Sequence, residues 1–223
     1  EYGQAFIQDL ENANIDYKGV IKQNDLPTGC CNILVSPDGE RTMATHIGIG
    51  SQLHPDELSE DSLQGIDHIY MESYLWDHDL TKQTLKKVGK IAKAINIETS
   101  LSLSDPFCVD RHRDELKEFI EEYVDLVFCN FDEAKMFAQS ETMADVSAFF
   151  QSFGKKIAMT ASAEGAYYFH GETVAHQPAQ KIEQVIDTTG AGDNFAAGFL
   201  DQYLSDKTIE EALAQGNARA GEV

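Results

Sequence analysis

Residues 187–195 read DTTGAGDNF: two aspartates, Asp187 and Asp193, bracket the small-residue turn Gly190-Ala191-Gly192. The run that follows, NFAAGFLDQYL, repeats Phe195, Phe199 and Leu200 at helical spacing, so the turn is expected to open a helix. The first amides of a helix lack partners within it and carry about half a positive charge, which suits a phosphate or a developing negative charge. Glycine lets the backbone come close to a bulky phosphate. An aspartate in the first turn is comfortable as a carboxylate, so Asp193 is expected to be ionised and able to accept a proton. An anion hole beside a base is what phosphoryl transfer to a hydroxyl requires. Taken alone, a G-x-G-D run reads more readily as a glycine-rich turn with Asp193 an ordinary N-terminal helix residue. It is neither a Walker A loop, since no G-K-[ST] follows, nor a G-x-G-x-x-G dinucleotide fingerprint.

Outward from this stretch, strands and helices alternate. HIYMES (68–73) reads as a strand, and LTKQTLKKVGKIAKAIN (80–96) as a helix with Leu85, Val88, Ala92 and Ile95 on one face. ETSLSLSD (98–105) follows as a strand, and DRHRDELKEFIEEYV (110–124) as a helix burying Leu116, Phe119, Ile120 and Tyr123. DLVFCN is the next strand, with helices in 132–138 and 142–152. KIAMTAS adds a strand, AYYFHGETVAHQ a hairpin turning at His170-Gly171, and two helices cover about 191–204 and 208–219. Such alternation implies an α/β domain with right-handed crossovers and a mostly parallel sheet flanked by helices. Earlier, CCNILVSPDGERTMAT (30–45) reads as two strands around Pro37-Asp38-Gly39, fitting an edge sheet or a lid over about 28–46.

In open sheets of this kind ligands sit outside the carboxyl ends of the strands. The polar residues there are Glu72, Asp105, Asn130 with Glu133, Thr160, and Asp187 to Asp193. Asn130 or Asp105 alone reads most simply as a helix cap; together these residues would line one rim.

Composition narrows the partners. Seventeen basic against 38 acidic residues give a net charge of −21, which repels nucleic acid and anionic membranes. An anionic substrate such as ATP therefore needs local donors or Mg²⁺. Cys30, Cys31, Cys108 and Cys129 show no C-x-x-C spacing and suggest idle thiols in a reducing cytoplasm. No apolar run approaches the roughly 18 residues of a membrane span, and no secretory signal opens the chain. Oligomeric state leaves no readable mark, and a homodimer stays open.

DTTGAGDNF as a whole resembles the C-terminal signature of the ribokinase-like family, the pfkB carbohydrate and nucleoside kinases. NFDEA at 130–134 is similar to the family's N-x-x-E motif, TASAEGAYYF at 160–169 to the strand and turn before its nucleotide site, and TGCCNILVSPDGERTM to its segment between lid and sheet. MESYLWD and SLSDPFCVDRHRDE look closer to the adenosine-kinase-like bacterial branch than to ribokinases. The resemblance covers essentially all 223 residues. It implies a ribokinase-like fold with a small β lid, and an ATP- and Mg²⁺-dependent kinase phosphorylating the primary hydroxyl of a small nucleoside or sugar. Asp193 would be the base, and the amides of Gly190, Ala191 and Gly192 would hold the transferring phosphoryl group. Asn130 and Glu133 would act on Mg²⁺ and phosphates, Glu133 through water. Asp187 and Thr189 match positions that in many members help hold a monovalent cation, usually K⁺. Thr160, Ser162 and Gly165 would line the ATP phosphates, and Glu72 would face the acceptor.

Two departures stand out. Ser162 occupies a glycine position of the family's T-x-G-x-x-G turn, where it either narrows the nucleotide approach or donates a hydrogen bond of its own. EYGQAFIQDL looks like an internal family helix, and GNARAGEV falls before the family's final helix, so the chain is expected to lack the family's N-terminal strands and C-terminal helix. Besides a nucleoside kinase, two readings stay open: a kinase for a free sugar such as ribose or fructose, and a nucleotide-binding member that no longer transfers phosphate. Arg111, His112 and Arg113 could reach a phosphate at the rim, but a solvated helix start is the plainer role.

Overall fold

A computed structural model describes residues 2–17, 25–36, 41–181 and 187–223. Helix α1 (Tyr2–Asn12) and a hairpin of β1 (Cys30–Val35) and β2 (Arg41–His46) come first. The two strands run antiparallel in the register Cys30↔His46 to Val35↔Arg41; the Pro37-Asp38-Gly39 turn inferred between them lies outside the described residues. Short 3-10 turns between Gly48 and Leu63 lead into the main sheet.

That sheet has six strands in sequential order: β3 (His68–Glu72), β4 (Glu98–Ser102), β5 (Leu126–Asn130), β6 (Lys156–Thr160), β7 (Ala166–His170) and β8 (Thr173–Gln177). The first four run parallel, while β7 and β8 are antiparallel hairpin strands, so the sheet is mixed at one edge. Helices α2 (Asp79–Ala94), α3 (Pro106–Tyr123), α4 (Phe131–Ala138) and α5 (Met143–Phe153) supply the crossovers.

Because side chains alternate across a strand, each strand serves two cores. Leu101, Val127, Cys129, Ile157, Met159 and Phe169 point towards α2–α5, joined by Leu116, Ile120, Phe137 and Phe150. Leu126, Phe128, Ala158, Ala166 and Tyr168 point the other way, towards α6 (Ala191–Tyr203) and α7 (Ile209–Ala220). Phe128 sits edge-on to Phe199 at 5.5 Å and to Phe195 at 6.4 Å, seating α6 on the centre of the sheet.

One boundary departs from periodicity. α3 begins at Pro106 rather than near residue 110: Asp105 caps it, accepting from the Phe107 and Cys108 amides at 2.7 and 3.3 Å, and proline occupies the first turn. Cap and proline together define a helix start that the apolar FCV run conceals from a periodicity search.

Candidate active site

The strand order brings β3, β4, β5 and β6 to one rim at their carboxyl ends, and α6 starts at that rim. Gly190 caps α6 at φ +80°, a left-handed conformation that other residues adopt at a cost of about 1–2 kcal/mol. Its carbonyl accepts from both the Asn194 amide and the Asn194 side chain at 2.9 Å. The Ala191 amide is turned into the loop and donates to the Thr188 carbonyl at 3.1 Å. Gly192 faces open space where a side chain would otherwise project, so a bulky anion can approach its backbone. Asp193 follows in the first turn, exposed.

The Asp187 carboxylate accepts from the Thr189 amide at 2.8 Å and the Thr189 hydroxyl at 2.7 Å, which hold it below the ordinary carboxylate range. These two residues, expected at a cation position, are thus spent partly on each other. Arg41 of β2 reaches over to the same loop, its Nη1 donating to Thr189 Oγ1 at 3.4 Å. Sequence reading missed Arg41; the available signal was a cation on the β1–β2 hairpin of a strongly acidic chain.

Across the rim, Glu72 ends β3. Its Oε2 accepts from the Ser104 hydroxyl at 2.6 Å, and burial raises its carboxyl above the usual range despite that bond, with the Asp193 charge adding to the rise. Tyr70 and Tyr74 flank it. Burial pushes both phenols up, Tyr74 to about 12, with the charges of Glu72 and Asp193 contributing to each. The Tyr74 hydroxyl donates to the Ser104 carbonyl at 2.9 Å. Phe107, at the start of α3, is 72% exposed on the same rim.

Asn130 and Glu133 form a reciprocal cap on α4. The Glu133 amide donates to Asn130 Oδ1 at 2.8 Å, while the Asn130 amide and Nδ2 donate to the Glu133 carboxylate at 3.0 and 2.7 Å. The capping role weighed for Asn130 is therefore real, and it does not remove Asn130 from the rim. Glu133 is only 5% exposed, and burial pushes its carboxyl up to about 7, with Asp105 and Glu72 adding repulsion against its own hydrogen bonds. Four carboxyl groups, Glu72, Asp105, Glu133 and Asp193, thus share a rim electrostatically. No three His, Cys, Asp or Glu side chains among the described residues are arranged to hold a metal ion. This set fits a Mg²⁺ ion carried in on phosphates and water, and does not fit one caged by the protein.

Thr160 pairs with Asn130 in register at the next strand end. The turn after it closes through Ala161 N–H to Gly165 O at 2.7 Å and Gly165 N–H to Ser162 O at 3.0 Å. Ser162 adopts φ +48°, so the serine is held in the left-handed conformation that glycine takes more readily. Gly165, at φ +97°, tolerates no substitution: a Cβ there would lie 2.1 Å from the Gln177 carbonyl oxygen.

Arg111 and His112 do not face the rim centre. Both bind Asp77, Arg111 with two nitrogens and His112 at 2.9 Å, beside a cleft of about 490 Å³ between α3 and α4 whose lining carries more acid than base. Arg113 Nε donates to the Phe137 carbonyl at 2.7 Å. The expected solvated helix start is corrected: the three residues lie a turn inside α3, and His112 and Arg113, only 18% and 20% exposed, pin it to its neighbours.

The pfkB family carbohydrate kinase model matches residues 1–223. The chain is 26% identical over 236 residues to adenosine kinase 2 of Arabidopsis thaliana, covering 97% of this chain, and 29% identical over 212 residues to the ATP-dependent ribose-1-phosphate kinase of Halopiger xanaduensis, covering 95%. It spans 66% of the length of each. Among solved structures, adenosine kinase from Sinorhizobium meliloti superposes with a TM-score of 0.95 at 35% identity, covering 99% of this chain and 68% of that one.

Proposed function

The chain belongs to the pfkB carbohydrate kinase family, and we propose that it carries the core of an ATP-dependent kinase phosphorylating the primary hydroxyl of a nucleoside. The observation that carries this reading is the start of α6: an open glycine backbone followed at once by an exposed carboxylate, facing Glu72 across the rim.

In this reading Asp193 takes the proton from the acceptor hydroxyl as the oxygen attacks the γ-phosphorus. The open backbone at Gly190 and Gly192 and the positive end of α6 stabilise the charge on the transferring group, whereas the Ala191 amide, expected to share that role, is spent on the Thr188 carbonyl. Thr160, Ser162, Gly165 and Asn130 line the phosphate tail along adjacent strand ends. Mg²⁺, when bound, neutralises that tail, and Glu133 and Asn130 orient its water shell from behind. Their mutual hydrogen bonds fix both side chains in place, which suits contact with the ion through water. Asp187 and Thr189 brace the anion loop, and these two residues would help to hold a monovalent cation such as K⁺, which would offset the charge of the loop's anion. The β1–β2 hairpin acts as a lid, delivering Arg41 to the anion loop as the acceptor is enclosed. A reaction fed by Mg·ATP fits a cytoplasmic location.

A nucleoside is favoured over a free sugar by the aromatic side chains Tyr70 and Tyr74 beside Glu72, which offer a planar base π-faces and edges to pack against. The relatives named adenosine kinase point the same way. The test is acceptor-dependent ADP release by the full-length protein with adenosine, cytidine, ribose and fructose side by side. Turnover favouring a nucleoside supports the reading. Turnover with sugars alone transfers it to a free-sugar kinase, and none with any acceptor, despite ATP binding, points to a nucleotide-binding member that has lost catalysis.

A further inference from the structure

At the opposite end of α6, away from the rim, three polar side chains close a triangle. The Tyr203 hydroxyl, on the last residue of α6, donates to Glu98 Oε1 at 2.6 Å and accepts from Lys156 Nζ; Lys156 also binds Glu98 Oε1 at 2.8 Å. Glu98 is the first residue of β4 and Lys156 the first of β6, two strands that flank β5. Their side chains converge from either side on one phenol. The Tyr203 ring itself stacks on Phe199 at 5.7 Å and lies 5.3 Å from the Lys156 ammonium.

The other contacts between α6 and the sheet are apolar: Phe195 and Phe199 on Phe128, and Phe199 on Tyr168. Ring faces and edges resist separation but distinguish poorly between positions shifted along the helix axis. α7 interlocks with α6 through close contacts at Gly198 and Gly216, so the two helices move as a pair, and on the α7 side that pair is tied to the sheet where Asn217 Nδ2 donates to the Gln177 carbonyl, at the end of β8, at 2.9 Å. Among the described residues the triangle is the only side-chain hydrogen bonding between α6 and the strands of the sheet. It is directional, with one phenol held by a donor and an acceptor.

We propose that the Glu98–Lys156–Tyr203 triangle, together with the Asn217 tie of α7, is the axial stop of α6, setting where its far end presents Gly192 and Asp193, and that Tyr203 is a positioning residue for phosphoryl transfer. The proposal rests on the kinase reading above. A helix of 13 residues is about 20 Å long and stiff, so a shift at Tyr203 arrives nearly undiminished at Asp193. Reacting groups misplaced by about 1 Å lose as much as 10²-fold in rate.

Tyr203→Phe removes the hydroxyl and keeps the ring. We expect its kcat to fall roughly 5- to 30-fold, with KM for ATP and acceptor unchanged within roughly twofold. In an Asp193→Asn background the same change should cost nothing further, because the group it positions is gone. Glu98→Gln keeps an acceptor for the phenol and should retain most of the kcat that Glu98→Ala loses. Equal losses in both Asp193 backgrounds, or a lowered Tm with kcat intact, would overturn the proposal.

Hydrogen exchange gives a readout independent of activity. The amides of Asn194 to Ala196 should exchange faster in Tyr203→Phe, and a change confined to residues 200–204 contradicts the stop. If the unmodified protein transfers no phosphate, the kinase reading fails, and the exchange result alone decides the stop.

Discussion

The two ends of the central sheet treat charge in opposite ways. At the amino ends of the strands, Glu98, Lys156 and Tyr203 satisfy one another: their hydrogen bonds outweigh burial, hold Glu98 below its usual range and keep Lys156 firmly protonated. At the carboxyl ends, Glu72, Asp105, Glu133 and Asp193 share one rim without an ion pair to any of them among the described residues, and Glu72 and Glu133 are pushed upward. A sheet that can pair its buried charges at one end and leaves them in conflict at the other has a reason for the conflict. Strain of this kind collects where a ligand completes the electrostatics, and the ligand that suits an acidic rim beside a helix start is a polyphosphate accompanied by a divalent cation.

The contrast can be broken experimentally, most severely at the rim. Asp193→Asn is expected to cost about 10²–10⁴-fold in kcat while leaving Mg·ATP affinity nearly unchanged, measured by steady-state turnover and calorimetry. Retained turnover removes Asp193 as the base. Arg41→Ala should cost roughly 10- to 100-fold in kcat, and Arg41→Lys should recover only part of it, because a point charge lacks the fork. A loss appearing entirely in KM would instead make Arg41 a ground-state binding residue.

The conflict at Glu133 should be visible in stability. With the folded carboxyl titrating near 7 against an ordinary 4.5, the folded state binds the extra proton between those values. Stability therefore falls as pH rises through that window. Relative to Glu133→Gln, the unmodified protein should lose on the order of 1–3 kcal/mol between about pH 4.5 and about pH 8, read from melting temperatures. A difference that stays flat with pH would show that Glu133 is not strained. At the satisfied end, Lys156→Met leaves Glu98 without its cation; with both side chains 31% exposed, screening limits the cost to about 1 kcal/mol. Denaturant titration checks it, and a larger loss would mean that the triangle carries more of the fold than its exposure suggests.

Much of this was legible in the sequence. The alternating elements from His68 onward, the opening of α6 at the Gly190 turn and the polar residues at the strand ends all follow from local pattern, because periodicity and caps are written in neighbouring residues. What stayed hidden is non-local. Arg41 meets Thr189 across 148 positions, and Tyr203 meets Glu98 across 105. Nothing in either neighbourhood announces its partner, and only the strand order reveals it. The capping box of Asn130 and Glu133 shows a subtler limit: the spacing that marks the observed helix cap is also the family's N-x-x-E motif, so one pattern serves both the cap and the role proposed for it.

The most direct test of a rim built for transfer to a primary hydroxyl is to compare a nucleoside with its 5′-deoxy analogue as acceptor for the full-length protein with Mg·ATP. We expect a phosphorylated nucleoside by mass spectrometry and ADP release above background only when the hydroxyl is present. Equal ADP release with both compounds, or phosphate found at any other position, would contradict the account.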